Sequence, residues 1–172
     1  AGLSAVLLLT GTMVFAEDGR RSYLEAFVSR LYETCLERGA GAEEIAFWAD
    51  RLESGQSTGA ETAYGFIFSE EYKRKQEDDA AFVAMLYRTV LGREPDGREQ
   101  QGWLDYLRRG ASREWVFSGF VNSEEYTRIC NRYQVERGSY LSHKMQDQNL
   151  QVTGFVIRLY ENCLGRRPGP YE

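Results

Sequence analysis

FVAMLYRTVLGREPD, Phe82 to Asp96, is the stretch that decides the fold. Its opening is written again as FVSRLYETCLER from Phe27 and as FVIRLYENCLGR from Phe155. Phe82, Val83, Leu86, Tyr87, Val90 and Leu91 recur at three and four residues, which lines one face of a helix with apolar groups. Gly92 is placed to stop that helix, Pro95 prevents its continuation, and Asp96 with Glu99 can cap the next one. A helix with a single apolar stripe cannot bury it alone. Writing it repeatedly implies that its partners are repeated too.

The partners follow at an offset of 55 residues, which becomes 54 after one residue is lost in a loop. Phe27, Leu31, Tyr32, Arg38, Trp48 and Asp50 fall on Phe82, Leu86, Tyr87, Arg93, Trp103 and Asp105. GFIFSEEY, with Phe66, falls on GFVNSEEY, with Phe120. A period of about 55 residues marks an array of supersecondary units. In the first unit Thr58 and Glu61 form a capping box, and in the second Ser112 or Arg113 opens the third helix and Ser123 a fourth. No segment alternates long enough to make a good strand. The expected fold is all-α: tandem helical repeats of three to four helices per unit, packed like orthogonal bundles. The boundaries read as unit 1 over 20–74, unit 2 over 76–134, a polar linker over 135–149, and a truncated unit 3 over 150–172. Unit 3 holds one helix, with Phe155, Leu159, Tyr160 and Arg166 at the repeat positions, so the native protein is expected to continue.

The chain has 172 residues, 42% hydrophobic and 27% charged, with a formal net charge of -5. Length and composition suit one domain or two small ones. The acidic balance argues against nucleic acid, whose phosphates need a basic face. Residues 1–16 carry no charge and are followed at once by EDGRR. That run is short of the about 20 residues that a membrane span needs. It suits the remnant of an export signal with Val14 and Ala16 before the cut, the alternative being a buried N-terminal helix. The expected location is outside the cell or on its surface.

Three cysteines, Cys35, Cys130 and Cys163, lack the close spacing of a zinc site. In an exported chain one disulfide is allowed, with Cys130–Cys163 as the expected pair and three buried thiols as the alternative. His143, the single histidine, sits in polar sequence without partners at ligand spacing. No catalytic residue, metal site or cofactor is expected. Trp48 and Trp103 read as packing residues. Trp115 has no counterpart in unit 1 and, beside Arg113, is the candidate binding surface. The repeated arginines Arg38 and Arg93 are expected to pair with Asp50 and Asp105, so that Asp105→Ala would lower stability.

FV-x-x-LY-x-x-x-LGR-x-PD, then Trp, then GF-x-x-SEEY, resembles the bacterial repeat called domain of unknown function 4214. The likeness covers 22–133 as two units and 150–168 as part of a third. It implies an all-α fold, export, and company with adhesion or wall-associated modules; it implies no reaction. Unit 1 departs from the pattern, reading LERGAGAEE where unit 2 reads LGREPDGRE. The units are also distantly similar to the helical domain of phycobilisome linker proteins, which would suggest scaffolding. The expected function is a non-catalytic module binding a protein or cell-wall glycan. The alternatives are an accessory domain of an extracellular glycan- or peptide-processing enzyme, or a spacer.

Overall fold

The computed structural model describes residues 19–169, so the expected signal remnant lies outside the described residues. Among them the regular structure is helical. Helix α1 covers 19–31 and ends in a wider π turn, Tyr32–Leu36. It is followed by α2 (Ala42–Glu53), α3 (Gly59–Ile67) and the short α4 (Glu70–Lys73). Unit 2 repeats the order. Helix α5 (Asp79–Leu86) runs into a π turn, Tyr87–Leu91, then come α6 (Gly97–Arg108), α7 (Arg113–Val121) and α8 (Glu124–Arg132). A 3-10 turn at Met145–Asp147 precedes α9 (Leu150–Leu164).

The boundaries are set locally. Asp96 Oδ1 accepts from the Arg98 and Glu99 amides, and Glu99 Oε2 accepts from the Asp96 amide at 3.1 Å. Thr58 and Glu61 close the same reciprocal box on α3. Ser69, Ser112 and Ser123 each accept one amide at the head of α4, α7 and α8. These bonds satisfy first-turn amides that have no partner inside the helix. Gly92 stops the α5 π turn in the left-handed region, φ 72°. In unit 1 the same place is held by Glu37 at φ 57°, a conformation that penalises any residue with a Cβ.

The two units share one core. Phe27, Leu31 and Phe66 of unit 1 lie in the same buried cluster as Phe82, Leu86 and Phe120 of unit 2. The junction is aromatic: Phe68 of unit 1 meets Phe117 at 5.5 Å and Phe82 at 6.3 Å. Burying each such ring contributes about 1.5–3 kcal/mol, so neither unit is independent of the other's third helix.

Residues 135–149 correct the reading of that stretch as a linker. It lacks α-helix but is packed as a strap across both units. Val135 is buried in the core. The Glu136 and Arg137 carbonyls accept from the Gly59 and Ala60 amides at 2.7 and 2.8 Å, capping α3 from another part of the chain. Tyr140 stacks on Tyr64 at 4.8 Å and meets Phe117 edge-on at 5.3 Å. Asn122 brackets the Tyr140 backbone by donating to its carbonyl and accepting from its amide. Polar composition hides this because much of the contact is made by backbone groups and by polar side chains, such as Arg137 on the Asn122 carbonyl and Asp147 on the Ser112 amide.

Candidate interaction surface

The repeated residues converge at the end of each first helix. Arg93 folds back over the Tyr87 ring, 4.9 Å from its centre. From there it donates to Glu99 at 2.7 and 2.8 Å and to Glu125 at 2.7 and 3.2 Å. Arg38 lies 4.7 Å over Tyr32 and makes the same set, to Glu44 at 3.0 and 2.8 Å and to Glu71 at 2.7 and 3.2 Å. One guanidinium thus ties the π turn to the start of the Trp helix and to the SEEY helix. Both bonds are fork-to-fork, the geometry that arginine supplies and lysine cannot. Hydrogen bonds from Arg38 and then from the Gly41 amide pull Glu44 down to about 2. Arg93 and then the Asp96 amide do the same for Glu99, also to about 2. Loss of the Asp cap in unit 1 leaves the clamp intact, because Glu44 still receives the Gly41 amide at 2.9 Å.

This corrects the expected Arg–Asp pairs. Asp105 accepts from Gln101 and from Arg108 on its own helix, and Asp50 accepts from Arg21. The aspartates lie two residues past Trp48 and Trp103 on the outer side of α2 and α6, while the arginines reach the heads of those helices. The signal for the true partners was available. Glu44 aligns with Glu99 at the offset of the tryptophans, and Glu71 with Glu125 at that of Phe66 and Phe120.

Trp48 and Trp103 are half-buried and roof their third helices. The edge of Trp103 closes over Gly119, and Trp48 over Gly65. Trp103 Nε1 donates to the Tyr87 hydroxyl at 3.2 Å. Trp115 packs into this roof, 4.8 Å from Tyr106 and 6.2 Å from Trp103. It is half-buried and stands among those two rings, not alone. The i, i+3 pair Trp103 and Tyr106 was the sequence signal for its neighbours. Arg113 is a structural pin, stacked 4.8 Å over Phe82 and donating to the Glu77 carbonyl at 2.7 Å.

The expected Cys130–Cys163 disulfide is not formed. Cys130 is a buried free thiol and Cys163 an exposed one on α9. Cys130 faces inward beside Gly59 and Tyr126. Cys35 is buried as well, and burial pushes its thiol up to about 12. Among the described residues no cluster of acids, cysteines and histidine is arranged to hold a metal ion, and no helix is long and apolar enough to cross a membrane.

Helix α9 sits on unit 2 by its narrow side. Ile157 and Thr153 press on Gly110, whose φ is 99°, and Gly154 lies against the Arg109 carbonyl. An open groove of about 340 Å3 runs along this seam between Asp105, Arg108, Arg109, Arg158 and Glu161. The opposite side of α9 carries Phe155, Leu159 and Leu164 outward.

These features define an all-α protein built from tandem helical repeats. The family model described as Domain of unknown function (DUF4214) matches residues 13–76 and again 63–130, and the chain belongs to that family. The two matches overlap on α3 and α4, the part of unit 1 whose aromatic rings pack into unit 2. No curated protein and no solved structure matches the chain.

Proposed function

We propose that this chain is a non-catalytic repeat module of an exported bacterial protein, and that it mediates interaction with another protein or with cell-wall glycan. One observation carries the reading. The stripe that units 1 and 2 bury is turned to solvent in the third copy. Phe27 and Leu31 are 0% and 1% exposed, and Phe82 and Leu86 are 1% and 0%. Phe155, Leu159 and Leu164 are 55%, 46% and 60% exposed. A contiguous apolar stripe of this kind, rimmed by charge, is the surface expected of a binding face. The repeated polar residues, in contrast, are spent on clamps that hold helices together.

The test is co-sedimentation of the purified chain with isolated bacterial cell walls, beside the Phe155→Glu variant, with circular dichroism to show that both fold. Pelleting of the parent that the variant loses supports a wall-binding module acting through α9. A folded parent that stays in the supernatant, with walls either intact or stripped of protein, removes the wall as its target.

A further inference from the structure

The clamp of unit 1 does not fill the space beside it. An open cavity of about 160 Å3 lies between the π turn, the Trp helix and the end of α3. Its apolar lining is aromatic, from Tyr32, Trp48 and Phe66, with Gly65 beside the indole. Its polar lining is Arg38, Glu44, Glu71 and Ser69. Every residue lining it has an identical counterpart in unit 2, although fewer than half of the positions over 27–55 do. Packing alone tolerates exchanges of similar volume.

The hydrogen bonds already made select what the cavity can take. Arg38 has no N–H group to spare: Nε donates to Glu71, Nη1 to the Gly39 carbonyl and Glu44, and Nη2 to Glu44 and Glu71. An anion therefore finds no free donor there, and two carboxylates outnumber the one guanidinium. A second cation meets Arg38, which already covers the Tyr32 face. What remains is acceptor capacity. A carboxylate accepts about four hydrogen bonds. Glu44 receives three, two from Arg38 and one from the Gly41 amide, and Glu71 receives two. Arg38 holds both below the ordinary carboxylate range, Glu44 at about 2, so both are charged acceptors at neutral pH. Ser69 Oγ accepts from the Tyr72 amide, and its own proton has no acceptor among the described residues. The matching Ser123 gives its proton to the Phe120 carbonyl at 2.7 Å. The fitting ligand is neutral, rich in hydroxyl donors, and has an apolar ring face for Trp48.

We propose that the unit 1 cavity binds one neutral pyranose residue of a glycan, its face on Trp48 and its hydroxyls on Glu44, Glu71 and Ser69. Hydroxyl to carboxylate bonds are charge-assisted, and a few such polar groups in an aromatic cavity fix a ligand's orientation. Unit 2 holds its copy of the roof tighter. A Cβ at Gly119 would stand 2.5 Å from Trp103, against 3.1 Å between Gly65 and Trp48, and Tyr106 and Trp115 brace the unit 2 ring. The site is separate from the α9 stripe and does not rest on it.

The test is a nitrogen–proton NMR titration of the full chain with cellotetraose and, separately, with tetra-N-acetylchitotetraose. The Trp48 indole and the Gly65 amide are the reporters, and the Trp103 indole and Gly119 amide are controls within the same molecule. A dissociation constant of about 1 mM is expected for one ring. Glu71→Gln keeps the side chain's shape without its charge and should weaken binding about fivefold. Gly65→Ala places a methyl beside the indole and should weaken it at unchanged stability, so it decides alone if Glu71→Gln fails to fold. Phe155→Glu should leave the titration unchanged. Saturable shifts at Trp48 and Gly65 with this pattern support the site. No shift at about 10 mM of either sugar overturns it. So do equal shifts at Trp48 and Trp103, binding that ignores both unit 1 substitutions, or shifts given by choline and by neither sugar. A saturable titration without wall pelleting keeps this site and removes the wall as target; pelleting without a titration overturns this site alone.

Discussion

Gly119→Ala is expected to destabilise the protein, although alanine is the better helix former. Gly119 lies inside α7, where Gly to Ala ordinarily gains about 1 kcal/mol. Here a Cβ would stand 2.5 Å from Trp103 Cη2 and 3.1 Å from Cζ3. Those are ring atoms of a side chain wedged against Phe120 and Trp115, so the indole must move as a body. Overpacking of this kind costs about 1–3 kcal/mol, and the displaced ring loses its bond to Tyr87, worth about 1 kcal/mol. The net is a loss of roughly 1–3 kcal/mol. At about 2–4 °C per kcal/mol, the midpoint loss corresponds to a Tm lower by roughly 4–8 °C. Unit 1 supplies the control. A Cβ at Gly65 would meet Trp48 Cη2 at 3.1 Å, a contact that a few tenths of an ångström relieves. Gly65→Ala should therefore fall within about 0.5 kcal/mol of the parent. Thermal and urea unfolding followed by circular dichroism measure both. Combining Gly119→Ala with Trp103→Phe removes the clashing ring atoms, and a coupling of at least about 0.5 kcal/mol is expected. A Gly119→Ala protein as stable as its parent, or strict additivity in the double variant, would refute the roof geometry.

Arg93→Met should lower Tm at neutral pH, and Asp105→Ala should leave it nearly unchanged. The clamp carboxylates Glu44 and Glu99 are depressed from the ordinary 4.5 to about 2, so their contribution is present above about 4.5 and is lost as pH falls toward 2. The Arg93→Met deficit should accordingly shrink across that window in melts at fixed ionic strength; a deficit unchanged from pH 7 to 2 would mean that the arginine acts by packing alone. Glu37→Gly should stabilise by roughly 0.5–1 kcal/mol, because it relieves a left-handed Cβ at the end of the unit 1 π turn and gives up only one ion pair, between the exposed Glu37 and the part-buried Lys75. Denaturant midpoints read this directly, and a loss of stability would show that the Lys75 pair outweighs the backbone term. Gly138→Ala should free the strap: φ is 65°, and a Cβ would stand 2.2 Å from Thr58 Oγ1. The measurement is hydrogen exchange at the Gly59 and Ala60 amides, which should speed up about tenfold or more relative to the rest of α3.

Much of the fold was legible because its signals are short-ranged. Asp96 with Glu99 and Thr58 with Glu61 cap helices within four residues, and Gly92 stops one through its own φ. The repeat offset exposed the shared stripe, and with it the all-α class and the family. The candidate site was legible only in part. Arg38 and Arg93 were marked as repeated, but a guanidinium on a turn can reach any acid nearby, and which one it meets depends on how α2 and α4 approach.

By itself, then, the chain's order of residues determined which segments are helical, where they begin and end, and that two units carry one design. These follow from periodicity, caps and backbone freedom, which act over a few residues. The tertiary structure alone decided that the arginines clamp glutamates, that residues 135–149 form a strap, that Trp115 joins the roof, and that Cys130 and Cys163 stay apart. Each depends on side chains of different elements meeting, from six residues apart for Arg93 and Glu99 to 32 for Arg93 and Glu125. Only the packed molecule also shows the third stripe facing outward, because Gly110 and Gly154 let α9 seat on unit 2 by its other side.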